Sequence, residues 1–332
     1  MQNRFNQLDA LKGLGMILVI IGHMDLSLVG SSIGTFIYTF HMPLFFLVSG
    51  YLSIKIYPNF WGLIKKKSKS LLLPYTVLFL ISLFFGYILV PFVVVRSNII
   101  PDVEMIQIIK SYLFSGGELE KLAIYNFPLW FLPCMFVTEL CFHFLKRIKN
   151  DLVLAGVLIV IAALTFPFQT IVEGRPPFHI NVLPAALVCM GIGYLFRKYE
   201  SHIKSNNFIN GILALVIIVL AYKNPGNISY IMNPLFFFVS ASLITYLFYS
   251  MFINVTSKNL LVYIGGNSLI IFGIHSLVIL WYTFLPISSY FANYNGVALF
   301  SINVFFIILI CLLIVWLYSF VKVYFRNIKK AV

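Results

Sequence analysis

Charge is what this sequence most lacks. Only 10% of its 332 residues are Asp, Glu, Lys or Arg, against about 25% in soluble domains. Acidic residues are the scarcer kind, 10 against 23 basic ones. The deficit excludes an ordinary soluble globule. With 61% hydrophobic residues, a chain this short carries more apolar surface than a water-facing fold can bury, whereas a lipid-facing one has no need to bury it. Cysteine is sparse as well. Cys134, Cys141, Cys189 and Cys311 all sit in apolar stretches without a CxxC pair, so they read as small buried hydrophobes and not as a disulfide framework. The motifs of soluble catalysis are missing: there is no GxSxG, P-loop, HExxH or GxGxxG. No internal repeat, low-complexity segment or separate soluble domain stands out, and residues 1–332 read as a single transmembrane domain.

What is present is apolar sequence in long runs, rich in Phe (34) and Tyr (19). A membrane span needs about 20 apolar residues. Ten runs qualify, at approximately 8–28, 33–54, 71–95, 127–145, 152–168, 182–197, 208–222, 231–253, 263–285 and 297–321. The first begins at Leu8, is too long for a leader's apolar region and lacks a small-residue cleavage site, so it is expected to be a span. The fold class expected is an all-α polytopic membrane protein. With the N-terminus in the cytoplasm, 18 basic residues fall in inside segments and 5 in outside segments, a strong positive-inside bias. Ten spans then leave both termini cytoplasmic. Because the basic residues lie between spans, topology explains the net charge of +13, and nucleic-acid binding is not expected.

Ionisable residues inside spans are costly and usually face the bundle interior. Span one carries Asp9 and Lys12 near its inner end and His23 eleven residues beyond Lys12. Eleven residues make three turns plus about 20°, so Lys12 and His23 share a face, about 16 Å apart along the axis. A snorkelling lysine and a hydrogen-bonded core histidine would account for the same pattern. Span two places His41 in its outer half beside Pro43, with Ser49 and Gly50 suited to close helix packing. Span nine places His275 in its outer half, with Asn267 and Ser268 upstream and Ser268 on the same face. Span four opens with Trp130, fit for an outer aromatic belt. It then buries Glu139, which has no cation nearby in sequence and is either functional or paired with a basic residue of another helix. His23, His41 and His275 share a depth, and neutral histidine can take up and return a proton. Such a cluster suits proton-transfer chemistry at the outer face or a proton-coupled transporter, and the residues alone do not separate the two.

These residues also carry a resemblance. Leu8 to Gly13 reads LDALKG, and Lys12 and His23 match a basic residue, ten residues, then histidine. His41 to Tyr51 matches HMPLFFxxSGY, Leu129 to Leu132 reads LWFL, and Gly265, Asn267, Ser268, Leu269, Ile270 and His275 match a late GxNSLxI…H segment. In this order and over most of the chain, the sequence resembles the acyltransferase-3 family, close to its fucose 4-O-acetylase-like branch. Many relatives carry paired arginines before LLxPY. Here Lys65, Lys66, Lys67 and Lys69 precede Leu71-Leu72-Leu73-Pro74-Tyr75, in what is expected to be a cytoplasmic loop, and Ser70 stands where the second arginine would be. Lysine keeps the charge but not the bidentate fork.

The resemblance implies a bacterial inner-membrane enzyme that moves an acetyl group from cytoplasmic acetyl-CoA to a sugar hydroxyl of an extracytoplasmic polysaccharide or lipid-linked glycan, with no metal. Asp9, Lys12, Lys66, Lys67 and Lys69 would hold the donor. His23 would be general base or acyl-carrying nucleophile, His41 and His275 would bind or orient the acceptor, and Glu139 joins them as a catalytic candidate. Asn267 or Ser268 could donate to the developing oxyanion, with Trp130 and Ser49 also on the substrate side. The principal rival is a transporter or flippase for a glycolipid or acylated sugar, which would be expected to show paired broken helices in inverted repeats. A second is an unrelated membrane acyltransferase with an Asn–His pair.

Overall fold

Asparagines mark where helices begin. The side chains of Asn59, Asn150, Asn233 and Asn259 each accept a hydrogen bond from a backbone N–H two or three residues on, satisfying donors that the first helical turn leaves open. Inside the helices, hydroxyls turn back on their own backbone. Thr138 donates to the Cys134 carbonyl, Thr165 to Ile161 and Thr245 to Ala241, so polar side chains need no water at those depths.

A computed structural model describes residues 2–24, 32–86, 105–114, 126–172, 174, 176–202, 206, 210–213, 216, 219, 227–284 and 296–331. The helices are α1 (Gln2–Met24), α2 (Ser32–Leu52), α3 (Phe60–Lys67), α4 (Leu73–Phe84), α5 (Met105–Phe114), α6 (Phe131–Leu145), α7 (Asp151–Ile171), α8 (Leu183–Tyr199), α9 (Pro234–Met251), α10 (Leu260–Gly266), α11 (Ser268–Phe284) and α12 (Gly296–Ala331). A π-helical turn, Ser68–Leu72, joins α3 to α4, and 3-10 turns at Phe127–Trp130 and Pro177–Val182 lead into α6 and α8. Among the described residues there is no strand beyond one isolated bridge, Asn227 to Tyr230. Among the described residues, eight helical segments are long and apolar enough to cross a membrane, nine if the bent pair α10–α11 is one span. The protein is an all-α polytopic membrane protein.

Burial sorts the helices. The spanning parts of α1 and α2 are 61% and 67% buried, those of α7 and α12 17% and 11%, so the former make the centre and the latter face outward. Two crossings hold the centre together. A methyl at Gly13 would overlap the Leu261 carbonyl, and one at Gly265 the Asp9 carbonyl, which seats α10 directly on α1. Gly50 and Gly193 do the same between α2 and α8, against Met190 and Leu47.

Nine of the ten expected spans fall on these segments; the seventh, 208–222, lies largely outside the described residues. One expectation is corrected, and one span has a bend that the sequence does not show. The Lys65–Lys69 stretch is not a loop: helix begins at Phe60 and runs through the lysines to Phe84, because Asn59 caps it and the π turn passes the chain on without a break. Span nine is not straight: α10 and the following helix meet at 88°. Asn267 ends α10 there with non-helical dihedrals.

Candidate functional site

At one end of the bundle, α1, α2 and α11 bring the three histidines together. The His23 and His275 rings lie with centroids 5.4 Å apart. His275 is fully buried and its Nδ1 is 2.7 Å from the Phe272 carbonyl. His41 is also buried, with Nδ1 2.6 Å from the Ile37 carbonyl. A carbonyl oxygen only accepts, so in both rings Nδ1 carries the proton and Nε2 keeps the lone pair. Tyr38, one turn before His41, ties α2 to α1: its hydroxyl donates to the Gly22 carbonyl at 2.7 Å, and its ring meets His41 edge-on at 5.3 Å. His23 differs from the other two. It is half-buried, and among the described residues its ring has no hydrogen-bond partner, leaving it free to exchange a proton. Asn126 steadies this end by donating to Ser82 Oγ and to the Gly273 carbonyl, two residues from His275.

At the other end a cavity of about 270 Å³ opens among α1, α2, α3, α6 and α11, with the π turn on its wall. Its polar walls are Lys12, Ser49, Lys67, Ser70, Glu139 and Ser268. Both cavity lysines already hold a carboxylate: Lys12 Nζ is 2.7 Å from Asp9, and Lys67 Nζ is 2.6 Å from Glu139. Ser49 donates to the same Glu139 oxygen at 2.8 Å. Lys146, one turn beyond the buried His143 on α6, donates to Ser53 and to the Lys55 carbonyl. Burial pushes its ammonium below the usual lysine range, against the pull of the Glu139 charge.

The two ends are close. Phe272 and Phe131 line the cavity and pack at 5.4 Å, and Phe272 is 5.9 Å from the His275 ring. One aromatic layer separates the cavity from the histidines. A larger cavity, about 430 Å³ between α1, α2, α8 and α9, is lined without a single charged side chain, so the smaller one holds the chemistry.

The structure brings His23, His41 and His275 together at one end, and Lys12, Asp9, Lys67, Glu139 and Ser49 at the other. Of the remaining candidates, Lys66, Lys69, Ser268 and Asn267 lie away from the places expected of them. Lys66 and Lys69 are exposed; Lys66 points to the Tyr57 hydroxyl at 2.7 Å. Ser268 stands with Lys12, not with His275, because seven helical residues rise about 10 Å. Asn267 is half-buried at the bend and donates to the Tyr263 carbonyl. Trp130 stacks on His179 at 5.1 Å.

Sequence reading passed over Tyr38, Asn126, His143 and His179. His179 and Phe178 both have left-handed backbone (φ 50° and 54°), a strained state that marks functional segments. His143 is buried against Phe60 with neither ring nitrogen bonded. Its spacing, one turn after Glu139, was the available signal. Among the described residues no group of three His, Cys, Asp or Glu is placed to hold a metal ion.

A family model described as an acyltransferase domain matches residues 5–319. No curated protein and no solved structure matches the chain. The matched stretch takes in every helix that forms the two ends of the site, and the chain belongs to the acyltransferase-3 family.

Proposed function

We propose that this membrane acyltransferase is an O-acetyltransferase of a bacterial inner membrane, taking acetyl from acetyl-CoA at the lysine end and passing it to a sugar hydroxyl of a polysaccharide or lipid-linked glycan at the histidine end. One juxtaposition carries the reading: a cavity walled by Lys12 and Lys67 ends on Phe272 and Phe131, one ring from the His23–His275 pair. The lysine end lies in the cytoplasm, where the donor is, and both termini face that side.

The lysines hold the donor's phosphates, and the thioester reaches inward along α1. The span from Lys12 to His23, about 16 Å of helix, is comparable to an extended pantetheine arm. The acceptor oxygen bonds to the acetyl carbonyl carbon as His23 removes its proton, the carbon–sulfur bond breaks, and the proton passes on to the leaving thiolate. His275 and His41 each have Nδ1–H held by a backbone carbonyl; His41 offers Nε2 to orient the acceptor, and His275 does so by giving up the Ser276 hydroxyl 3.4 Å from its Nε2.

The bend at Asn267 is the kind of broken helix that transporters use; it has no counterpart among the described residues, and the acyltransferase match favours group transfer. Incubating membranes that contain the protein with label in the acetyl group of acetyl-CoA separates the two. The transferase puts label into the glycan fraction. A transporter moves glycan and leaves it unlabelled, and that result would overturn the proposal.

A further inference from the structure

The Lys67–Glu139 pair is placed oddly for a structural ion pair. Glu139 is only 6% exposed, on the α6 wall of the donor cavity. Its partner comes from the last residue of α3, immediately before the π turn. That wider turn puts Lys67, Ser70 and Leu71 on the cavity wall together, while Lys65, Lys66 and Lys69 remain exposed. π turns inside α-helices are frequent at functional sites. The same Glu139 oxygen takes the Ser49 hydroxyl, and Lys146 lies near enough to feel both Glu139 and Lys67. Lys146 is committed to Ser53 and the Lys55 carbonyl, whereas among the described residues the Lys67 ammonium pairs with Glu139 alone. Lys67 is therefore the ammonium that can change partner.

We infer that Glu139 is a resident counter-ion, which occupies Lys67 while the cavity is empty of donor and is displaced from it by a phosphate of the incoming acyl donor. The inference rests on the proposed donor site and adds its regulation. A lysine left bare in this cavity would bear an unpaired, partly desolvated charge, which is costly. Glu139 removes that cost and raises the threshold for any anion. A donor carrying several phosphates competes, because charge-assisted bonds to phosphate are strong. A single weak anion does not. When displaced, Glu139 keeps the Ser49 hydroxyl and the field of Lys146, so its charge remains compensated. Glu139 thus acts through Lys67 and is a positioning residue for the donor. Lys12 and Asp9 form a looser version of the same device, with Asp9 29% exposed in its side chain.

The test is calorimetric binding of free CoA and of inorganic phosphate to purified wild type, Glu139→Gln and Asp9→Asn, with folding checked by thermal midpoint. Gln keeps the size and the hydrogen bond from Ser49 but releases Lys67. Binding of CoA to Glu139→Gln should tighten by about fivefold, the upper worth of an ion pair at a solvent-reached site, and inorganic phosphate should become a measurable ligand. Asp9→Asn should tighten it less. Unchanged or weaker CoA binding by folded Glu139→Gln overturns the inference while the donor site stands. Absence of CoA binding to wild type overturns the donor site itself. Should Glu139→Gln fail to fold, Lys67→Met decides: weaker CoA binding with a lost salt dependence is expected, and unaltered binding contradicts the exchange.

Discussion

Each histidine of the site has a different degree of freedom. His41 and His275 are buried and held through Nδ1 by the backbone of their own helices; His23 is half-buried and unheld. A group that must cycle its proton is better served by the second state, and a group that must point one way by the first. Tyr38 bears on both, because its hydroxyl fixes Gly22, the neighbour of His23, while its ring rests on His41. Tyr38→Phe removes one hydrogen bond and should cost about 0.5–1.5 kcal/mol of stability. It should also lower the turnover number with the Michaelis constant for acetyl-CoA unchanged, since the proposed donor cavity is at the other end. A changed constant alone would mean that Tyr38 serves the donor. The three histidines were legible because a span of Leu, Ile and Phe makes any ionisable residue conspicuous. Tyr38 was not, since tyrosine is common in such spans, and its value comes from a contact sixteen residues back in sequence. Glu139 was conspicuous for the same reason as the histidines. Its partner was hidden, because Lys67 is 72 residues away and sits in a run of four lysines where nothing in the sequence distinguishes one from another.

At the scale of elements, the departures from expectation share a cause. Hydropathy reports how apolar a segment is and says nothing about where its axis turns. The lysines before Leu71 lowered local hydropathy enough to suggest a loop, yet they sit on a capped helix whose other face is buried at Leu63. Helix sorts them: Lys67 faces the cavity, and Lys66 and Lys69 face outward. Neutralising Lys67 should therefore raise the Michaelis constant for acetyl-CoA, and neutralising Lys66 and Lys69 together should raise it far less. Equal effects would mean that the cluster acts only through its summed charge. The bend in span nine was hidden for a related reason. Gly265, Gly266 and Asn267 lie inside an apolar run of span length, where nothing in hydropathy shows that they end α10. Where α10 lies on α1, a methyl at Gly265 meets the Asp9 carbonyl with no side chain able to yield. Gly265→Ala should cost about 1–3 kcal/mol as overpacking. Gly156→Ala on the outer face of α7, where nothing stands within 4 Å, should cost nothing. Thermal unfolding of the two variants in detergent compares them; equal midpoints would mean that α10 is not seated on α1 as described.

At the scale of the whole molecule, the fold separates two kinds of polar group along one axis. Lysines and their carboxylates collect at one end and His23, His41 and His275 at the other, and the helices between them are joined by glycine contacts. The all-α character and the positions of nine spans were readable because lipid allows few alternatives to a helix of about 20 residues. The charge split of 18 to 5 predicts that the lysine end lies inside. A reporter active only outside the cytoplasm, fused after Val332, should stay silent, and a strong signal would reverse the orientation. In the proposed reaction, donor and acceptor meet from opposite ends and His23 is the group on which transfer depends. Losing a general base costs about 10²- to 10⁴-fold in rate, whereas losing a structural histidine lowers the amount of folded protein. The measurement is acetylation of the glycan from acetyl-CoA, per folded molecule, by purified wild type and His23→Ala. The protein described here predicts near-normal folded yield for the variant with specific activity down by about two to four orders of magnitude; a His23→Ala protein that keeps most of that activity would contradict it.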